Sequence, residues 1–259
     1  MIDMSGIFSH VDYDETVNKF NESKSSGCNS DCNWSLFQGL HKSVSNNKCS
    51  ICEVELVESP NHPYSATIDH FRPKASDMYP GLKCEPKNYI LMCSLCNNRY
   101  KAAKFPLLDE TKRATGAKTI KDARFEQPLL FNPAVKKPLN FFELVFKITE
   151  AGNILELKRK PTIPKDSYSY QRSAEMIKLF GLGYVHKDIH PDEDSKALRL
   201  DVLRLHYVVF IELAQAIKDN NKKALALILQ DKNRKEMLKK YGFFQFLMEK
   251  QFSICLVSP

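Results

Sequence analysis

The cysteines include two C-x-x-C pairs, Cys49/Cys52 in "CSIC" and Cys93/Cys96 in "CSLC", separated by residues 53–92. Two thiolates at this spacing can grip one metal ion from a tight turn, and two such pairs complete a tetrahedral site. The chain between them is about 40 residues long, whereas simple zinc ribbons enclose roughly 15–20. The spacing therefore predicts a structural zinc ion held by Cys49, Cys52, Cys93 and Cys96, clamping the base of an inserted functional unit.

The insert carries "TIDHFRPK" at 67–74, which puts an acid, a histidine, an arginine and a lysine within six residues. "ATIDHF" alternates enough to predict a short strand ending in the polar pair, and Pro73 ends it. "NYILMC" predicts a second strand. "SLCNNRYKAAKF" predicts a helix bearing Asn97, Asn98, Arg99, Lys101 and Lys104. Two strands and a helix bracketed by cysteine knuckles make a ββα unit.

The run C-x-x-C, D-H-F-R-P-K, N-Y-I-L-M-C-S-L-C-N-N-R-Y-K resembles the HNH endonuclease family of ββα-metal nucleases in its four-cysteine zinc form. Asn97 stands at the third motif position, where histidine is the alternative, and the step from Asn88 to Asn97 fits the family spacing. "HFRPK" and "KFP" are similar to the PtuB family, nuclease subunits of Septu-type antiphage systems that work beside an ABC-type ATPase, PtuA. "PLLFNP" and "IKLFGL" share that likeness more loosely. The HNH likeness covers about a quarter of the chain and the PtuB likeness about half.

The resemblance implies roles. His70 is the general base. Asp69 and Asn97 hold one Mg²⁺ or Mn²⁺ through oxygen. Asn88 pins the loop that follows His70. Arg72, Lys74, Arg99, Lys101 and Lys104 line a nucleic-acid backbone. The implied partners are the ATPase and a nucleic-acid substrate. Related nuclease–ATPase pairs serve as retron effectors, which adds a retron reverse transcriptase and its RNA/DNA. DNA is favoured as substrate. Cleavage of RNA such as tRNA by the same constellation, or a zinc-clamped binding adaptor without catalysis, stay open.

The remaining features set bounds. A net charge of +7 permits a polyanionic partner without demanding one. The first residues lack the basic start and apolar run of a signal peptide, and no apolar stretch reaches membrane-spanning length. A soluble cytoplasmic protein with no membrane partner is expected. In that compartment eight cysteines argue against a disulfide framework. Cys28 and Cys32 read as ordinary thiols of a surface loop, and Cys84 and Cys255 carry no assignment. "YVHKDIHPDED" at 184–194 reads as a polar loop, His62 as a turn residue, His41 and His206 as helix residues, and Trp34 as a core anchor.

Together these readings predict an α+β fold. An N-terminal helical segment (1–45) precedes the zinc-clamped ββα nuclease domain (46–110). A connector with a β-hairpin in "ELVFKITEAGNILELK" follows (111–165). A C-terminal helical region (166–259) ends in the apolar tail "FFQFLMEKQFSICLV", suited to docking a partner.

Overall fold

The computed structural model describes residues 1–25, 32–149, 152–182, 212–213, 215–216 and 219–234. The expectations for Cys28, Cys255, His206, residues 184–194 and the tail at 243–259 lie outside them. The chain divides into two compact units, Ile2–Ile51 with Leu56–Lys137, and Met1 and Cys52–Glu55 with Pro138–Pro259. Among the described residues the fold is α+β: helices and two separate antiparallel sheets of two strands each. None of these helices is long and apolar enough to cross a membrane.

In the first unit, helix α1 (Tyr13–Ser25) carries Asp14 and Glu15 in its first turn and Lys24 in its last, which suits the helix dipole. Tyr13 and Phe20, seven residues apart, form its buried stripe. A 3₁₀ turn (Trp34–Leu36) leads into α2 (Phe37–Ser45), which buries Phe37, Leu40 and His41. Asn46 ends α2 in the left-handed region at φ 53°, a conformation asparagine tolerates.

Strand β1 (Ala66–His70) pairs antiparallel with β2 (Tyr89–Cys93), with Ile68 opposite Leu91 and His70 opposite Tyr89. Every residue of β2 is buried. The helices cover this hairpin through edge-to-face rings: Phe37 and Phe20 lie 5.2 and 5.9 Å from Tyr89, and 5.3 Å from each other. All three rings are fully buried, which contributes about 1.5–3 kcal/mol each.

The helix expected after β2 is shorter and wider than an α-helix. Leu95–Lys101 is π-helical and closes with the Ala102 N–H on the Asn97 carbonyl at 2.6 Å. Ala102 then leaves at φ 46°, ψ −125°, which stops the helix well before Phe105.

The expectation of Cys32 as an ordinary thiol of a surface loop needs correction, because it is buried and bonded. Cys32 and Cys84 are joined, with Cα atoms 5.5 Å apart, inside the span a disulfide bridges. They are 52 residues apart in the chain, so only the fold brings them together.

The second unit contains the expected hairpin, β3 (Phe142–Thr149) and β4 (Gly152–Arg159), in register from Phe142 opposite Arg159 to Thr149 opposite Gly152. Helix α3 (Tyr168–Phe180) starts at a Ser167 side-chain cap and ends at Gly181, whose φ of 56° glycine adopts without strain. Arg159 stacks on Tyr170 at 3.7 Å, packing α3 on β4. Helix α4 (Lys222–Gln230) is capped by Asn221.

Candidate active site and metal centre

The two C-x-x-C turns meet. Cys49, Cys52, Cys93 and Cys96 are all buried, and their sulfurs lie within 4.8 Å of one another. A zinc ion with Zn–S bonds near 2.3 Å needs sulfurs about 3.8 Å apart, so four thiols and no open position fit a closed structural site. The turns are built for it. The Cys96 N–H points at the Cys93 sulfur at 3.4 Å. Ser50, between the first pair, donates its N–H to the Leu91 carbonyl at 3.2 Å, fastening that knuckle to β2. Residues 47 and 56 close its loop: the Asn47 side-chain N–H donates to the Leu56 carbonyl at 3.1 Å, and the Leu56 N–H donates to the Asn47 carbonyl at 2.9 Å.

The end of β1 carries the polar pair, and successive strand residues face opposite ways. His70 turns toward the aromatic cluster and is 6% exposed. Tyr89 and Trp34 meet its ring edge-on at 5.2 and 5.0 Å. Its Nε2 lies 2.9 Å from the Lys83 carbonyl, which also accepts the Tyr89 hydroxyl at 2.9 Å. A carbonyl can only accept, so Nε2 bears the proton and the lone pair of neutral His70 resides on Nδ1. Burial pushes the His70 pKa down to about 4; the bond to Lys83 opposes this, and the charges of Lys74, Lys101 and Lys83 add to it. The imidazole is therefore neutral near pH 7.

Asp69 turns the other way and meets Lys101, whose ammonium lies 2.8 Å from its Oδ2. Lys101 is fully buried and also donates to the His70 carbonyl at 3.0 Å. Asp69 and Lys101 form a buried ion pair. Burial raises the Asp69 pKa, with Lys101 pulling it back. On the same face of β1, Thr67 receives the Asn97 side-chain N–H at 3.0 Å and itself donates to the Met92 carbonyl at 2.9 Å. With its nitrogen donating, the half-buried Asn97 amide presents its oxygen. The Asp69 carboxylate, paired with Lys101, and the Asn97 amide oxygen are donors of the type a divalent ion takes.

Asn88 is fully buried at the start of β2. Its Oδ1 accepts the Arg72 N–H at 2.8 Å and its Nδ2 donates to the Arg72 carbonyl at 2.9 Å, clamping the turn after His70 from both sides. Arg72 itself points inward: its Nε bonds Glu126 at 3.0 Å, and its guanidinium lies 5.3 Å from the Phe105 ring. Glu126 also takes the Tyr79 hydroxyl and the Ala114 N–H, both at 2.8 Å.

The five cations expected on one nucleic-acid surface thus separate. Lys74, Arg99 and Lys104 are exposed, whereas Arg72 and Lys101 are interior partners of carboxylates, out of reach of a phosphate at the surface. Trp34, expected as a core anchor, is half-buried between the His70 ring and the Lys74 ammonium, which lies 3.8 Å from its centroid. Sequence reasoning missed Trp34, the Lys83 carbonyl, Thr67 and Glu126 as parts of the site. No local pattern marks them, because each meets its partner across the fold.

The architecture defines a ββα unit built on a four-thiol cluster with zinc-binding geometry. The chain is similar to the Septu protein PtuB of Bacillus mycoides (strain KBAB4), at 32% identity over 132 residues, 47% of this chain and 41% of that protein. The match therefore spans less than half of the relative's length. No family model and no solved structure matches the chain.

Proposed function

We propose that the chain is a metal-dependent endonuclease of the HNH type, the effector of a Septu-like antiphage system working with an ABC-type ATPase. The observation that carries the reading is His70: a buried, neutral imidazole with Nε2 committed to the Lys83 carbonyl and Nδ1 left as a base, on the strand residue that follows Asp69. The similarity to PtuB supports the biological setting.

Phosphodiester hydrolysis needs a deprotonated water, a cation on the scissile phosphate and relief of the developing charge. His70 Nδ1 accepts the proton as the water oxygen bonds to phosphorus and the ester P–O bond breaks. The Lys83 carbonyl stabilises the imidazolium through Nε2–H, as an orienting acceptor does for any catalytic histidine. Asn88 holds the turn, and with it the His70 backbone. Asp69 and Asn97 are the oxygen donors for Mg²⁺ or Mn²⁺, which when bound supplies Lewis acidity at the phosphate. Exposed Lys74, Arg99 and Lys104 bind backbone phosphates without reading sequence. The zinc cluster is structural.

The test offers plasmid DNA, single-stranded DNA and tRNA to the zinc-loaded full-length chain, with and without the ATPase. Mg²⁺, Mn²⁺ or chelator is added in turn, and Asp69→Ala serves as the control. Metal-dependent cleavage of DNA, lost in Asp69→Ala, supports the proposal. Cleavage of tRNA alone reassigns the substrate to RNA. Cleavage by Asp69→Ala in excess chelator contradicts the ion's role.

A further inference from the structure

We infer that Cys32 and Cys84 are a reversible thiol–disulfide pair that sets how firmly His70 is held; its consequence for cleavage rests on the nuclease reading above. The cysteines divide by task. Cys49, Cys52, Cys93 and Cys96 form the four-thiol cluster, while Cys32 and Cys84 are bonded to each other near the opposite end of the hairpin. Each half of the pair adjoins one support of the histidine. Lys83, whose carbonyl takes the His70 Nε2–H, directly precedes Cys84. Trp34, whose ring meets His70, is two residues beyond Cys32 and donates its N–H to the Cys32 carbonyl at 3.0 Å. One covalent bond therefore joins the segment that orients the ring to the segment that packs against it.

The pair is open to exchange from one side. Cys32 is 4% exposed and Cys84 is half-buried, so an incoming thiolate meets the Cys84 sulfur first. The Lys24 ammonium donates to the Cys84 carbonyl at 3.3 Å, on the same exposed side.

The reductant is a dithiol. Its thiolate attacks Cys84 Sγ, the S–S bond breaks, and Cys32 departs as a thiolate that takes a proton. The second thiol then displaces Cys84 from the mixed disulfide, leaving two protein thiols and an oxidised reductant. The reverse reaction uses the disulfide of a small thiol such as glutathione, which ends as two thiols. With the bond open, residues 32–34 and 83–84 lose their covalent link, and the Trp34 and Lys83 supports of His70 move independently.

Trp34 is the only tryptophan, so its emission reports on this place alone, in the zinc-loaded full-length chain. Peptide mapping after alkylation without reductant should give a Cys32–Cys84 linked peptide. Dithiothreitol should dissolve it and raise Trp34 emission with zinc content unchanged, and glutathione disulfide should restore both. Reduction should slow cleavage about tenfold or more, the scale expected when a catalytic group loses its placement. A Cys32→Ser/Cys84→Ser variant should show the slow rate and ignore both reagents. Both cysteines found alkylated, Cys84 linked elsewhere, or Trp34 emission indifferent to reduction would overturn the inference. So would equal cleavage in the two redox states. If no state cleaves, the nuclease reading fails, while the peptide map and the emission still decide whether the pair exists and moves Trp34.

Discussion

Removing the Lys101 side chain should cost more than any other single surface-looking substitution in the ββα unit. Lys101→Met keeps the length and apolar stem but deletes the ammonium. Asp69, whose side chain is 9% exposed, then has no counter-charge. Breaking a buried pair from one side costs about 3–5 kcal/mol. The His70 carbonyl also loses its donor, adding on the order of 1 kcal/mol. The expected total is about 4–6 kcal/mol, a large share of a domain's stability.

Asp69→Asn/Lys101→Met removes both charges and should recover much of that loss. Urea unfolding followed by Trp34 emission measures all four corners of the cycle. The pH dependence adds a signature. Burial already raises the Asp69 pKa and Lys101 opposes it, so Lys101→Met should raise it further. A carboxyl with a raised folded pKa contributes stability that is fully present below its unfolded pKa and is lost as pH rises through the folded pKa. Lys101→Met should therefore regain stability on acidification relative to Asp69→Asn/Lys101→Met. A single-variant cost below 1 kcal/mol, or strictly additive effects in the cycle, would mean that Asp69 and Lys101 are not a coupled buried pair.

Other perturbations separate the remaining parts. Cys93→Ser should lower bound zinc and unfold the first unit, because the metal's binding energy is folding energy in such sites; zinc analysis and far-UV circular dichroism check it. His41 and His70 are both buried with pKa values near 4, against about 6.5 when unfolded. Stability should thus fall as pH drops from about 6.5 toward 4, by about 3 kcal/mol per histidine, and His41→Leu should reduce the slope by about 1.4 kcal/mol per pH unit, measured by urea unfolding across that range. Arg99→Ala and Lys104→Ala should each weaken binding of all duplex sequences alike and reduce the salt slope by about 0.9, read from binding curves at several salt concentrations; unchanged slopes would leave both as solvated side chains.

Much of the fold was legible in the sequence where its signals are local. The alternation in "ATIDHF", the apolar run of "NYILMC", the C-x-x-C turns and the glycine after "IKLF" each act within a few residues, and β1, β2, the cysteine cluster and the end of α3 fall accordingly. What was not legible depends on distance or on helix form. "NNRYKAAK" has the look of a solvated basic face, and in an α-helix Lys101 would share it. In the structure Lys101 closes a π-helical segment and lies inward on Asp69. Arg72 finds Glu126 54 residues away, and Cys32 finds Cys84 52 residues away. Spacing rules have no purchase on such partners, and a cation bound for the core looks in sequence like one bound for phosphate.

The most direct measurement compares wild type with His70→Ala in the zinc-loaded full-length chain, recording zinc content, fold and the rate of cleavage with Mg²⁺ or Mn²⁺. Equal zinc and an intact fold are expected, with cleavage reduced by about 10²-fold or more, the low end of what a general base contributes. Cleavage at the wild-type rate by His70→Ala would contradict that role.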